Sequence, residues 1–234
     1  MRPVVGPLEF ERAVHFSTRA GECTMHGKRS ETPHFAAARR LGTPMTLDTK
    51  SYAPDLAELL ESEGSNDLGS GKAQDAVRPA LARLTPEGVC APHAVQDVGM
   101  ARACLAGLWL RHDFLDESHR ISQDIETPAG SFWHGIMHRR EGDFDNAKYW
   151  FRRVGRHPIF ERLAQSAHDL AADRKAGPDA AYLIRQADWD PFAFVDLCQH
   201  AQTGKLPLEA LAKSIQLREW ELLFDYCYRL AIGS

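Results

Sequence analysis

Four histidines at helical spacing are the residues of this chain best placed to do chemistry. Residues 109–158 hold five of the eleven histidines and three of the five tryptophans. His112, Asp116, His119 and Gln123 follow one another at i, i+4, i+7 and i+11, which stacks them along one line of a helix. His134 and His138 are four apart, so both imidazoles turn to one side of the next helix, with Glu141 one turn on. Imidazole and carboxylate are ligands for a transition-metal ion. The metal-ligand set read from the sequence is His112, His119, His134 and His138, and a transition metal is the candidate cofactor. The same groups suit general acid–base work, an aspartate orienting a histidine. Against both stands a plain structural reading, in which buried imidazoles bond neighbouring carboxylates or carbonyls and do nothing more.

A second concentration is basic. Arg139, Arg140, Arg152 and Arg153, with Arg156 close by, lie near Trp133, Tyr149 and Trp150. Guanidinium forks suit the carboxylate or phosphate of a partner. The alternative is a solvated face paired with Glu141, Asp143 and Asp145. The chain is acidic overall, with a formal net charge of -4, and so few arginines argue against a nucleic-acid partner. No residue is assigned as catalytic. The nucleophile-elbow pattern G-x-S-x-G is missing, as is His-Glu-x-x-His. The segment SNDLGSGK (65–72) has Asn66 and Ala73 where a phosphate loop needs glycine and a hydroxyl, so it reads as a turn. The leading reading is a binding or interaction module for a protein or a small anionic ligand. The rival is a metal-dependent enzyme, hydrolytic or of oxygen chemistry.

The elements that must position these residues are helices. A long one is expected over about 96–125, ended by Pro128-Ala129-Gly130. Two shorter ones follow at about 131–141 and 144–155, joined at Gly142-Asp143. Another runs from His157-Pro158 to about Lys175, and the last third ends in a long helix carrying Trp220, Phe224, Tyr226 and Tyr228. With no alternating run long enough for a sheet, the chain reads as all-α, an irregular bundle or short superhelix of eight or nine helices in hairpins. Residues 1–50, punctuated by proline and glycine, read as a loosely ordered extension with a short helix near Phe35–Leu41. Residues 51–234 read as a single helical domain.

The hairpin has a specific spacing. Trp133, Gly135 and His138 share its first helix, Gly142 and Phe144 its turn, Ala147, Phe151 and Val154 its second helix, and Pro158 closes it. This resembles the tetratricopeptide repeat over 131–158, with histidines at 134 and 138 where that repeat usually has leucine and tyrosine. The chain also resembles an uncharacterised bacterial and fungal family with a WHxxMHRREGDFxNAKYWFRRVG-like block, a resemblance that implies no activity. Apolar runs are too short to span a bilayer and the first residues lack the plan of a secretory signal. Five scattered cysteines without a CxxC pair read as reduced thiols of a cytoplasmic protein.

Overall fold

Helices form where apolar residues recur at helical spacing, and side chains cap the N-termini of five of the described α-helices. The computed structural model describes residues 47–234 apart from 63 and 205. The described residues hold eleven α-helices and two short 3-10 turns, and no strand. This is more than the eight or nine helices expected, because the helix expected over about 96–125 divides in two and Pro86–Cys90 adds an unexpected short helix. The expected helix near Phe35–Leu41, and the extension as far as residue 46, lie outside the described residues. Leu47 already packs on the core, and Thr49 Oγ1 donates to Glu61 at 2.6 Å.

Three short helices come first: α1 (Pro54–Glu61), α2 (Arg78–Arg83) and α3 (Pro86–Cys90), each with proline in its first turn. There proline's fixed φ helps and its missing N–H costs nothing. Next are α4 (Val98–Arg111), capped by Asp97 on the Met100 N–H, and α5 (Leu115–Ser122). Then comes the hairpin of α6 (Pro128–Glu141) and α7 (Phe144–Val154). Thr127 caps α6 by accepting from the Gly130 N–H, and Asp143 caps α7 through the Asn146 N–H. Gly142 reverses the chain between them at φ 85°, in the left-handed region that favours glycine. The remainder is α8 (Phe160–Asp173), α9 (Tyr182–Arg185), α10 (Pro191–Ala201) and α11 (Leu206–Ile232).

Helix α6 is the centre of the packing. Every residue from Ala129 to Arg140 is buried, so this helix has no solvent stripe and must be enclosed on all sides. It packs on α4, α5 and α7. Trp133 meets Trp220 of α11, ring centroids 6.1 Å apart, and lies over Gly107 of α4. Gly135 admits Phe151 of α7 so closely that a Cβ there would stand 3.1 Å from its ring. The last helix follows the expectation: Phe224 is wholly buried, Trp220 and Tyr228 nearly so, and Tyr226 partly.

The expected helix over 96–125 is not continuous. It breaks at His112-Asp113-Phe114, where Asp113 takes a left-handed conformation at φ 64°, uncommon for a residue with a side chain. What holds it there is its carboxylate. Arg140 pairs with Oδ1, Ser65 Oγ donates to the same oxygen at 2.7 Å, and the Lys72 backbone N–H donates to Oδ2 at 3.2 Å. The Gly/Ser segment 65–72, expected as a turn, is an irregular loop with a bend at Leu68-Gly69, and it cradles the chain's own carboxylate.

Candidate metal centre

The break in the helix dissolves the polar row read from the sequence. His112 is the C-cap of α4 and fully buried, facing α1. Its Nε2 lies 3.2 Å from the Leu59 carbonyl and its Nδ1 3.0 Å from the Gln74 side-chain amide. Burial holds its pKa at about 4, so the ring is neutral and its one N–H donates to one of these two oxygens. Asp116, on α5, and Gln123, its C-cap, are exposed. Neither His112, Asp116 nor Gln123 therefore belongs with His119. For His112 the physical reason is the left-handed residue, which changes the helical phase between 112 and 116; Asp116 and Gln123 follow the break together with His119 but are open to solvent.

His119 does meet the histidines of α6. The ring centroids of His119 and His134 are 4.6 Å apart, those of His134 and His138 4.7 Å, and those of His119 and His138 5.3 Å. One ligand atom from each of the three lies within 4.8 Å of the others. His134 and His138 are buried and His119 is half-buried, so the cluster sits just beneath the surface between α5 and α6. Helix α7 supplies a wall. The Trp150 ring lies 4.0 Å from that of His134, centroid to centroid, and the Arg153 guanidinium lies 5.2 Å over Trp150 on its way to solvent.

Each buried imidazole has a partner on its Nδ1. His138 Nδ1 lies 3.0 Å from Glu141 Oε2; a carboxylate only accepts, so this nitrogen carries the proton. Ser122 Oγ donates to the His119 carbonyl at 3.3 Å and stands 3.1 Å from His134 Nδ1, from which it can accept. Asn146 of α7 places its amide nitrogen 3.1 Å from His138 Nε2 and 3.5 Å from Nδ1. So close to both nitrogens, it stands over the ring rather than on the lone pair of Nε2. Burial, and after it the neighbouring His138 and His119, push the His134 pKa down to about 3. Burial also lowers that of His138, against the pull of Glu141. Neutral imidazoles are the form that binds metal.

The basic concentration divides. Arg139 is wholly buried; its guanidinium donates to both carboxylate oxygens of Glu219 on α11, at 3.2 and 2.5 Å, and to Gln216 Oε1 at 3.3 Å. Arg140 is spent on Asp113, on the Leu110 carbonyl at 2.7 Å and on the Gly69 carbonyl at 3.1 Å. Neither is open to a partner, and neither pairs with Glu141, Asp143 or Asp145 as the solvated-face alternative supposed. A helix enclosed on every side gives its arginines no route to solvent. Arg152 and Arg153, on the outer face of α7, are exposed.

Sequence reasoning passed over Ser122, Asn146 and Trp150 as members of the site, and noted Glu141 without placing it there. Ser122 is three residues after His119 and Glu141 three after His138, so the i, i+3 relation was the available signal. Asn146 and Trp150 come from the facing helix and had none. Among the described residues no helix is long and apolar enough to cross a membrane. Compared with known protein families, with curated proteins and with solved structures, the chain matches none.

Proposed function

We propose that this protein is a helical metal-binding protein whose centre is His119, His134 and His138. One observation carries the reading: three imidazoles from two helices converge within 4.8 Å. Around a tetrahedral ion with bonds of about 2.0–2.1 Å, ligand nitrogens stand about 3.4 Å apart, so modest side-chain rotation closes the set. Three imidazoles without thiolate select zinc, copper, nickel or iron over magnesium or calcium. Metal-assisted hydrolysis or oxygen chemistry at this ion is the enzymatic form of the reading. The four described cysteines are buried free thiols, which supports a reducing, cytoplasmic setting. Gly135 against Phe151 and the left-handed Gly142 support a tetratricopeptide-like α6–α7 unit.

The test is a titration of untagged protein with zinc and cobalt. One ion per chain, lost in His119→Ala, is the expected result. His119 is half-buried, so its removal should leave the fold standing. Failure to bind either ion at micromolar concentration sinks the reading.

A second reading rests on the outer face of α7, where Arg152 and Arg153 are exposed beside Tyr149, itself 46% exposed. That face suits a carboxylate or phosphate of a protein or small anionic ligand. Titration with an acidic peptide should shift the Trp150 indole resonance in the native protein and not in Arg153→Glu. A resonance that stays in place in the native protein rejects this reading.

A further inference from the structure

Resting on the metal-binding reading, we infer that Nε2 of His134 and Nε2 of His138 are ligating atoms, that Glu141 is the positioning residue for His138, and that His119 is the ligand that swings to close the site.

Glu141 sits three residues after His138, one turn along α6, and its Oε2 is 3.0 Å from Nδ1. With the proton on Nδ1, the lone pair of His138 is on Nε2. The Asn146 amide, standing over the ring near both nitrogens, leaves the in-plane direction from Nε2 clear. Carboxylate to imidazole to metal is the arrangement that fixes the tautomer and orientation of a ligand histidine and raises its basicity. His134 has a neutral counterpart: its Nδ1 faces Ser122 Oγ at 3.1 Å, and that hydroxyl hands its own proton to the His119 carbonyl at 3.3 Å. The same hydroxyl therefore ties the orientation of one ligand to the backbone of another.

Two of the three rings are thus pinned. His134 is also clamped against Trp150 at 4.0 Å, and His138 is covered by Asn146. The ring of His119 makes no side-chain hydrogen bond among the described residues, and it alone of the three is half-buried. A separation of up to 4.8 Å must shrink towards about 3.4 Å for tetrahedral binding. The ring free to cover that distance is His119.

The experiment combines zinc affinity, by competition with a chromophoric chelator, with nitrogen-15 NMR of the imidazoles. In the native protein without metal, His138 should show a protonated Nδ1 and an unprotonated Nε2. Zinc should then shift Nε2 of His134 and of His138. Glu141→Ala should weaken zinc binding about 10- to 100-fold, with Glu141→Gln between it and the native protein, and should mix the two tautomers of His138. Its melting temperature without metal should stay near that of the native protein, since Glu141 is exposed. Ser122→Ala should weaken binding less. Native affinity in Glu141→Ala, or zinc shifting Nδ1 of His138 instead, overturns the inference and leaves the metal site in place. Zinc binding by no variant, the native protein included, overturns both.

Discussion

His112 and His119 are one residue type seven positions apart on what reads as one helix, yet they end in opposite circumstances. His112 is enclosed where α4 stops, with one nitrogen against a backbone carbonyl oxygen and the other against the Gln74 side-chain oxygen, both from other segments. Its capacity is spent, and it is a structural residue. His119 is half-buried and faces two further imidazoles, and like groups packed together satisfy one another poorly. A cluster of this kind costs stability without a ligand to join it and gains when one arrives. The lesson is that residue type and spacing do not separate a structural histidine from a ligand; the partners on its second nitrogen do.

The largest expected effect concerns the residue that divides the two. Asp113→Ala removes the carboxylate that Arg140, Ser65 and the Lys72 N–H share, and leaves Arg140 buried without its counter-ion. Losing one partner of a buried pair costs about 3–5 kcal/mol, readable in chemical denaturation. Arg139→Ala, which abandons Glu219, should cost a similar amount. A loss below about 1 kcal/mol in both would mean that these pairs do not organise the fold.

Acid should act next, and on the structural histidines. Burial holds His112 and His157 at about 4 in the folded chain, against about 6.5 when unfolded. His157 is enclosed by the rings of Phe132, Phe160 and Tyr226. Between those values the unfolded state takes up protons that the folded state refuses. Their stabilising effect is therefore fully present above about pH 6.5 and is lost as pH falls towards 4, at up to about 3 kcal/mol for each. His157→Phe should flatten that loss; an unchanged acid profile would remove His157 from the account.

Zinc draws the comparison directly. At a free concentration 100 times its dissociation constant it should stabilise the native protein by about 2.7 kcal/mol. His112→Asn, whatever its cost to the metal-free fold, should keep this increment, and His119→Ala should abolish it. Equal increments in the two variants would erase the distinction between the histidines. The smallest effect is expected outside: Arg152→Ala and Arg153→Ala should change stability by no more than about 0.5 kcal/mol. A larger change would place α7's outer face inside the packing.

Much of the architecture was legible along the chain. Apolar spacing marked the helices after residue 96, and Gly142-Asp143 marked the hairpin; Pro128, read as the end of the preceding helix, instead opens α6. The pairing of His134 with His138 was legible too, because four residues on one helix share a face. The break at Asp113 was not. Its signal lies in Ser65, Lys72 and Arg140, distant in sequence, which together stabilise a backbone conformation that local preference disfavours. The fate of Arg139 was hidden for the same reason, its carboxylate being eighty residues away.

Local chemistry thus determined what could be settled within one helix: which residues form it, where it is capped, and which side chains lie a turn apart. Only the tertiary structure decided which polar groups share a site. Periodicity carries a row of side chains faithfully as long as the helix is unbroken, and a single left-handed residue held by long-range hydrogen bonds resets the phase. His119 entered the cluster, and His112 left it, at that one position.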